Sequence, residues 1–146
     1  GGVSPSLYGY GVRTGRPASG IFFLFKNSNN CDLSSKFEVI GAGDVVKNKK
    51  PASDIYQYVL DELKLSASEC IVFEDSAAGF ASASAIGLKT VVTLSEYTKA
   101  FEFDGAMVFI DHLGEIDTPF EIMSGRPSSH SFVNVEYLKE LHEQNR

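Results

Sequence analysis

The sequence predicts an α/β fold built on a parallel sheet, and three observations carry that reading. Cys70-Ile71-Val72-Phe73 is a short unbroken apolar run, the pattern of a strand covered on both faces. Ala77 to Ile86 is rich in alanine and serine and stops at Gly87, as a helix packed closely on a sheet would. Leu88 to Leu94 supplies the next strand, and strand, helix, strand in succession makes a βαβ unit, whose crossover is right-handed in nearly all sheets.

The remaining elements follow in order. Gly1 to Gly20 is rich in Gly, Ser and Pro and reads as loop. Its Gly9-x-Gly11-x-x-x-Gly15 spacing misses the dinucleotide fingerprint by one residue, with no convincing strand before it. Ile21 to Phe25 is an apolar run of five residues, too short for a membrane span or a signal-peptide core. From Ser53 to Leu65, Ile55, Tyr58, Val59 and Leu63 recur at helical spacing, with Ser53 placed to cap the helix. Ala106 to Ile110 reads as a further strand. Phe132 to Gln144 reads as a terminal amphipathic helix using Val133, Tyr137, Leu138 and Leu141.

Composition bounds the function. The 146 residues suit one domain, and 43% hydrophobic content is enough for a core. A net charge of −6 argues against a nucleic-acid or anionic-membrane partner, both of which need a basic footprint. Cys31 and Cys70 stand alone, and His112, His130 and His142 are scattered, so none has metal-ligand spacing. The expected location is the cytoplasm, or the plastid stroma if a targeting segment precedes Gly1.

The chemistry concentrates at Glu74-Asp75, two carboxylates closing the Cys70 strand, about two dozen residues after Lys49-Lys50-Pro51. Ligands of open α/β sheets bind beyond the carboxyl ends of strands, which is where this pair falls. Phosphoryl transfer needs a fixed cation and a lysine aimed at phosphate oxygens. Magnesium takes only one or two protein carboxylates, and Asp75 is the stronger candidate of the two. Adjacent strand residues point to opposite faces, so both reach one ion only if the chain turns at once, as Ser76-Ala77-Ala78-Gly79 permits. The blander readings are a solvated strand end for the acids and a solvated basic loop for Lys47, Lys49 and Lys50.

Order and spacing make these pieces specific. Gly41-Ala-Gly-Asp-Val-Val-Lys-Asn-Lys-Lys-Pro-Ala-Ser-Asp-Ile-Tyr56, Cys70-Ile-Val-Phe-Glu-Asp-Ser-Ala-Ala-Gly79 and Ala85-Ile-Gly-Leu-Lys-Thr-Val-Val92 together resemble the haloacid-dehalogenase (HAD) superfamily, and within it the CbbY-type sugar-phosphate phosphatases. Tyr97-Thr98, Asp111-His-Leu-Gly114 and Pro119-Phe120 continue the likeness. The resemblance covers residues from about Phe37 to Gly125 and divides the chain into a poorly assigned segment 1–36 and a HAD-like part 37–146.

The resemblance implies a partial Rossmann-like HAD core, with Lys50 as the charge-stabilising lysine and Asp75 with Glu74 as magnesium ligands. It also implies a small phosphorylated sugar as substrate, such as xylulose 1,5-bisphosphate. Two of the family's four motifs are then present. The Asp-x-Asp nucleophile loop is not, since no Asp-x-Asp occurs in the chain and Glu102-Phe103-Asp104-Gly105 lacks the first aspartate. Ser28 is a candidate remnant of the Ser/Thr motif, but the eight residues between it and Phe37 are too few for a βαβ crossover, so a surface serine is the favoured reading.

Enzymes must accelerate phosphate-monoester hydrolysis by up to about 10²¹-fold, so a chain without its nucleophile is expected to be inactive. It is expected to be the C-terminal part of a longer phosphatase lacking the nucleophile strand and cap domain; the alternative is a catalytically silent homologue that binds or regulates. A receiver-type signalling domain ranks last, because its lysine would follow the acidic strand and Lys50 precedes it. Without the central strand, the sheet is expected to show an unpaired edge and to favour association.

Overall fold

The computed structural model describes residues 6–10, 21–26, 46–95 and 103–145. Six strands form one sheet in the order of the chain: β1 (Ser6–Tyr10), β2 (Ile21–Lys26), β3 (Cys70–Glu74), β4 (Lys89–Thr93), β5 (Val108–Ile110) and β6 (Ile122–Ser124). The helices are α1 (Asp54–Leu63), α2 (Ala77–Ser84) and α3 (Val135–Gln144), and a 3₁₀ turn at Ala67–Glu69 leads into β3.

The expected parallel unit is present. β3 pairs with β4 in parallel, Ile71 opposite Lys89 and Glu74 opposite Val92, and β4 pairs in parallel with β5. Parallel neighbours need a crossover, and α2 provides the one between β3 and β4. The alternation of β3 explains its apolar run. Cys70 and Val72 join Ile55, Tyr56, Val59, Leu60 and Ala83 on the face covered by α1 and α2. Ile71 packs on the opposite face with Val91, Tyr137, Leu138 and Leu141 under α3. Ser82 of α2 ties the helix to the loop before α1, its Oγ donating to the carbonyl of Ala52 at 2.6 Å.

Several expectations need correction. The opening segment contains a strand, because β1 pairs with β2 in an antiparallel ladder that the Gly/Ser/Pro content of the segment obscured. The far edge of β3 is covered too: β2 runs antiparallel against it, Ile21 opposite Phe73 and Leu24 opposite Cys70. The unpaired edge expected there is therefore absent. The expected strand from Ala106 begins only at Val108, since Gly105 at φ +93° and the Ala106 N–H to Phe103 carbonyl bond hold a turn before it. β6 is a three-residue antiparallel strand beside β5, too short to leave a periodic signal. Helix α3 starts later than expected, with the Asn134 side chain capping it by accepting from the Tyr137 N–H at 2.8 Å.

Candidate functional site

Strand alternation determines what Glu74 meets. Residues i, i+2 and i+4 of a strand share a face, so Glu74 follows Cys70 and Val72 towards α1 and α2, where an acid is expensive to bury. Only 2% of Glu74 is exposed. Its Oε1 accepts from Lys50 Nζ at 2.8 Å and also from the hydroxyl of Tyr56, which is wholly buried on α1. Its Oε2 is buried and has no hydrogen-bond partner among the described residues.

Gly79, in the first turn of α2, makes room for this carboxylate. A Cβ there would lie 2.0 Å from Oε2 and 2.3 Å from Cδ of Glu74. Burial pushes the Glu74 pKa up, more than the Lys50 charge and the Lys50 and Tyr56 hydrogen bonds hold it down, and the nearby Asp75 charge adds to the rise. The ion pair therefore offsets only part of the cost of burying the acid.

Of the lysines in the preceding loop, Lys50 turns inward. Lys47 and Lys49 are exposed, whereas the Lys50 side chain is 11% exposed and its Nζ lies 5.1 Å from the centroid of the Tyr56 ring. Asp54 Oδ2 holds the loop by accepting from the backbone N–H and the side-chain amide of Asn48, at 3.2 and 3.0 Å. Ser53 occupies the N-cap position but makes no capping hydrogen bond, so the expected serine cap is not formed.

Asp75 takes the opposite course from Glu74. Its side chain is exposed where the chain turns into α2, and Ser76 caps that helix by accepting from the Gly79 N–H at 3.1 Å. Ser95, just beyond β4, donates through Oγ to the Asp75 carbonyl at 2.9 Å and ties the two strand ends together. The turn anticipated at Ser76–Gly79 is thus the capped start of a helix.

The site presents a buried carboxylate with one oxygen unmatched, an exposed carboxylate next in sequence, and a lysine on the matched oxygen. Hard oxygen donors of this kind suit magnesium, which keeps most of its waters and uses few protein ligands. The unmatched Oε2 is the observation that favours a cation. Among the described residues no three His, Cys, Asp or Glu side chains cluster as a metal site.

The structure brings Lys50 to Glu74. Ser28 and Glu102 lie outside the described residues, and Phe103, Asp104 and Gly105 form a turn with Asp104 exposed. The histidines serve local contacts: His130 to Glu140 at 3.1 Å, His142 to the Ser68 carbonyl at 2.8 Å, and His112 accepting through Nδ1 from the Gly114 N–H at 3.0 Å.

Sequence reasoning missed Tyr56 and Gly79. The apolar face of α1 centres on Ile55, Tyr56, Val59 and Leu60, with Tyr58 only partly buried. A buried tyrosine needs a partner for its hydroxyl, and the acid closing the neighbouring strand was the available signal.

Comparison with known proteins follows these elements. The family of haloacid dehalogenase-like hydrolases matches residues 23–93. Protein CbbY of Rhodobacter capsulatus is 54% identical over 70 residues, covering 48% of this chain and 31% of that protein. The plasmid-encoded Protein CbbY of Cupriavidus necator is 38% identical over 112 residues, covering 76% of this chain and 43% of that protein. A crystal structure of a point mutant of CbbY from Rhodobacter sphaeroides, in complex with xylulose 1,5-bisphosphate, is 37% identical, covers 51% of this chain and 35% of its own, and superposes with a TM-score of 0.46. The chain thus spans about a third to two-fifths of the length of these relatives.

Proposed function

The chain belongs to the haloacid dehalogenase-like hydrolases, in the CbbY-like group, and from that premise we propose that it carries the cation- and phosphate-binding part of a magnesium-dependent sugar-phosphate phosphatase. The observation that carries the reading is the Glu74 carboxylate at the end of β3, with Lys50 on one oxygen and the other unmatched, beside the exposed Asp75.

Each residue then has a role. Asp75 and Glu74 would hold Mg2+, which would supply positive charge against the transferring phosphoryl group. Lys50 places a fixed positive charge at the same edge, held in position by the buried carboxylate rather than by water, and so costs little reorganisation when a phosphate arrives. Ser95 and Ser76 hold the backbone around Asp75 and keep its carboxylate at the strand end. The substrate class is a phosphorylated sugar, with xylulose 1,5-bisphosphate the first compound to assay; the sequence relationship to CbbY proteins supports that choice. The nucleophile must come from an Asp-x-Asp segment, which the 146 residues do not contain.

The test is phosphate release from xylulose 1,5-bisphosphate, with and without Mg2+, by the 146-residue chain and by the protein at the length its source cell produces. Turnover is expected only from a form carrying the aspartate loop, and Asp75→Asn is expected to abolish it. Unchanged activity in that variant would refute the metal assignment. The absence of Asp-x-Asp also favours a second reading, a silent homologue that binds a sugar phosphate with Mg2+. In that case the native-length protein binds the sugar without releasing phosphate.

A further inference from the structure

Tyr56 touches both charged members of the site. Its hydroxyl donates to Glu74 Oε1, the oxygen that also takes the Lys50 ammonium, and its ring presents a face to that ammonium at 5.1 Å. The residue has no exposed surface, and α1 fixes its backbone by packing Ile55, Val59 and Leu60 beside it. Two donors converge on Oε1, and the carboxylate fills the space that a side chain at Gly79 would need, with Oε2 nearest to it. A carboxylate restrained in this way cannot rotate to exchange its oxygens without giving up both donors.

We infer that Tyr56 is a positioning residue, which locks the Glu74 carboxylate so that Oε2 is the oxygen offered to a divalent cation. The inference rests on the reading of Glu74 and Asp75 as cation ligands. Partners that orient a ligand without touching the ion typically account for about 10- to 100-fold in metal affinity. Tyr56→Phe keeps the ring and removes only the hydroxyl, so the packing of α1 is preserved while the lock is released.

The experiment is calorimetric titration of Mg2+ into the 146-residue chain and its Tyr56→Phe, Asp75→Asn and Glu74→Gln variants, with thermal melting of each. Wild-type binding that disappears in Asp75→Asn and weakens about tenfold in a Tyr56→Phe chain that still melts in one cooperative transition above the titration temperature supports the inference. Tyr56→Phe should have no further effect once Glu74 is Gln. Binding equal to wild type in Tyr56→Phe overturns the role of Tyr56 and leaves the metal reading intact. No wild-type binding, or binding that survives Asp75→Asn, overturns the metal reading and the inference with it. Should Tyr56→Phe fail to fold, wild-type chain with ¹³C-labelled tyrosine decides: the Tyr56 Cζ resonance moves on adding Mg2+ while that of Tyr137 does not, and an unmoved Tyr56 resonance refutes the inference.

Discussion

Replacing Gly79 with alanine tests the architecture of the site most directly, because the ordinary expectation for that substitution has the opposite sign. In a helix, Gly→Ala stabilises by roughly 0.5–1 kcal/mol. At Gly79 the new Cβ would lie 2.0 Å from Oε2, 2.3 Å from Cδ and 2.7 Å from Oε1 of Glu74, so all three atoms of the carboxyl group conflict with it. The side chain must leave, and with it go the Lys50 and Tyr56 hydrogen bonds to Oε1. Hydrogen bonds to a charged group contribute about 1.5–3 kcal/mol each, and the helix gain together with release of the acid from its costly burial returns part of that loss, leaving a net destabilisation of about 1–3 kcal/mol.

Urea denaturation of Gly79→Ala measures the change. The double variant Glu74→Ala/Gly79→Ala isolates its cause, since without the carboxylate the added methyl group should be neutral or stabilising against the Glu74→Ala single variant. A Gly79→Ala protein as stable as wild type, or the same loss in both backgrounds, would refute the placement of Glu74 over α2.

Four further outcomes are expected. Burial raises the Glu74 pKa, so the stability its neutral form retains below the ordinary value of 4.5 is lost as pH rises through the folded value; the stability difference between wild type and Glu74→Gln, from urea melts across pH 4 to 8, should move against wild type with rising pH. The Cys70 thiol, pushed up to about 12 chiefly by burial and further by Glu69, should resist alkylation at pH 8 in the folded chain and react once urea unfolds it, as peptide mass mapping will show. Asn134→Ala removes the cap of α3 and should cost about 1 kcal/mol in chemical denaturation. The Tyr137 hydroxyl is buried without a hydrogen-bond partner among the described residues, so Tyr137→Phe should match or exceed wild-type stability by up to about 1 kcal/mol in the same assay.

The parallel centre was legible because its signals are local. An unbroken apolar run marks a strand covered on both faces, and β3, α2 and β4 lie where that run and its neighbours placed them. The register of Glu74 followed from β3 alone, and so did the opposite course taken by Asp75. Pairing across long separations left no such mark. That β2 lies antiparallel on β3 depends on where a remote segment docks, and its short apolar run is compatible with either orientation. β6 is held by neighbours rather than by its own sequence.

The site divides along the same line. Acid and lysine were readable as residue types suited to phosphate, but which oxygen of Glu74 faces which partner depends on three elements meeting: the loop before α1, α1 itself and the first turn of α2. This is why the two residues missed in the sequence, Tyr56 and Gly79, are those whose part is to shape the surroundings of a charge rather than to carry one. A phenol inside an apolar helix face and a glycine in a helix's first turn look like packing and turn residues until the strand beside them ends in a buried acid. From that point each has a specific requirement: the hydroxyl needs an acceptor, the acid needs donors and space, and the fold meets both with the same contact.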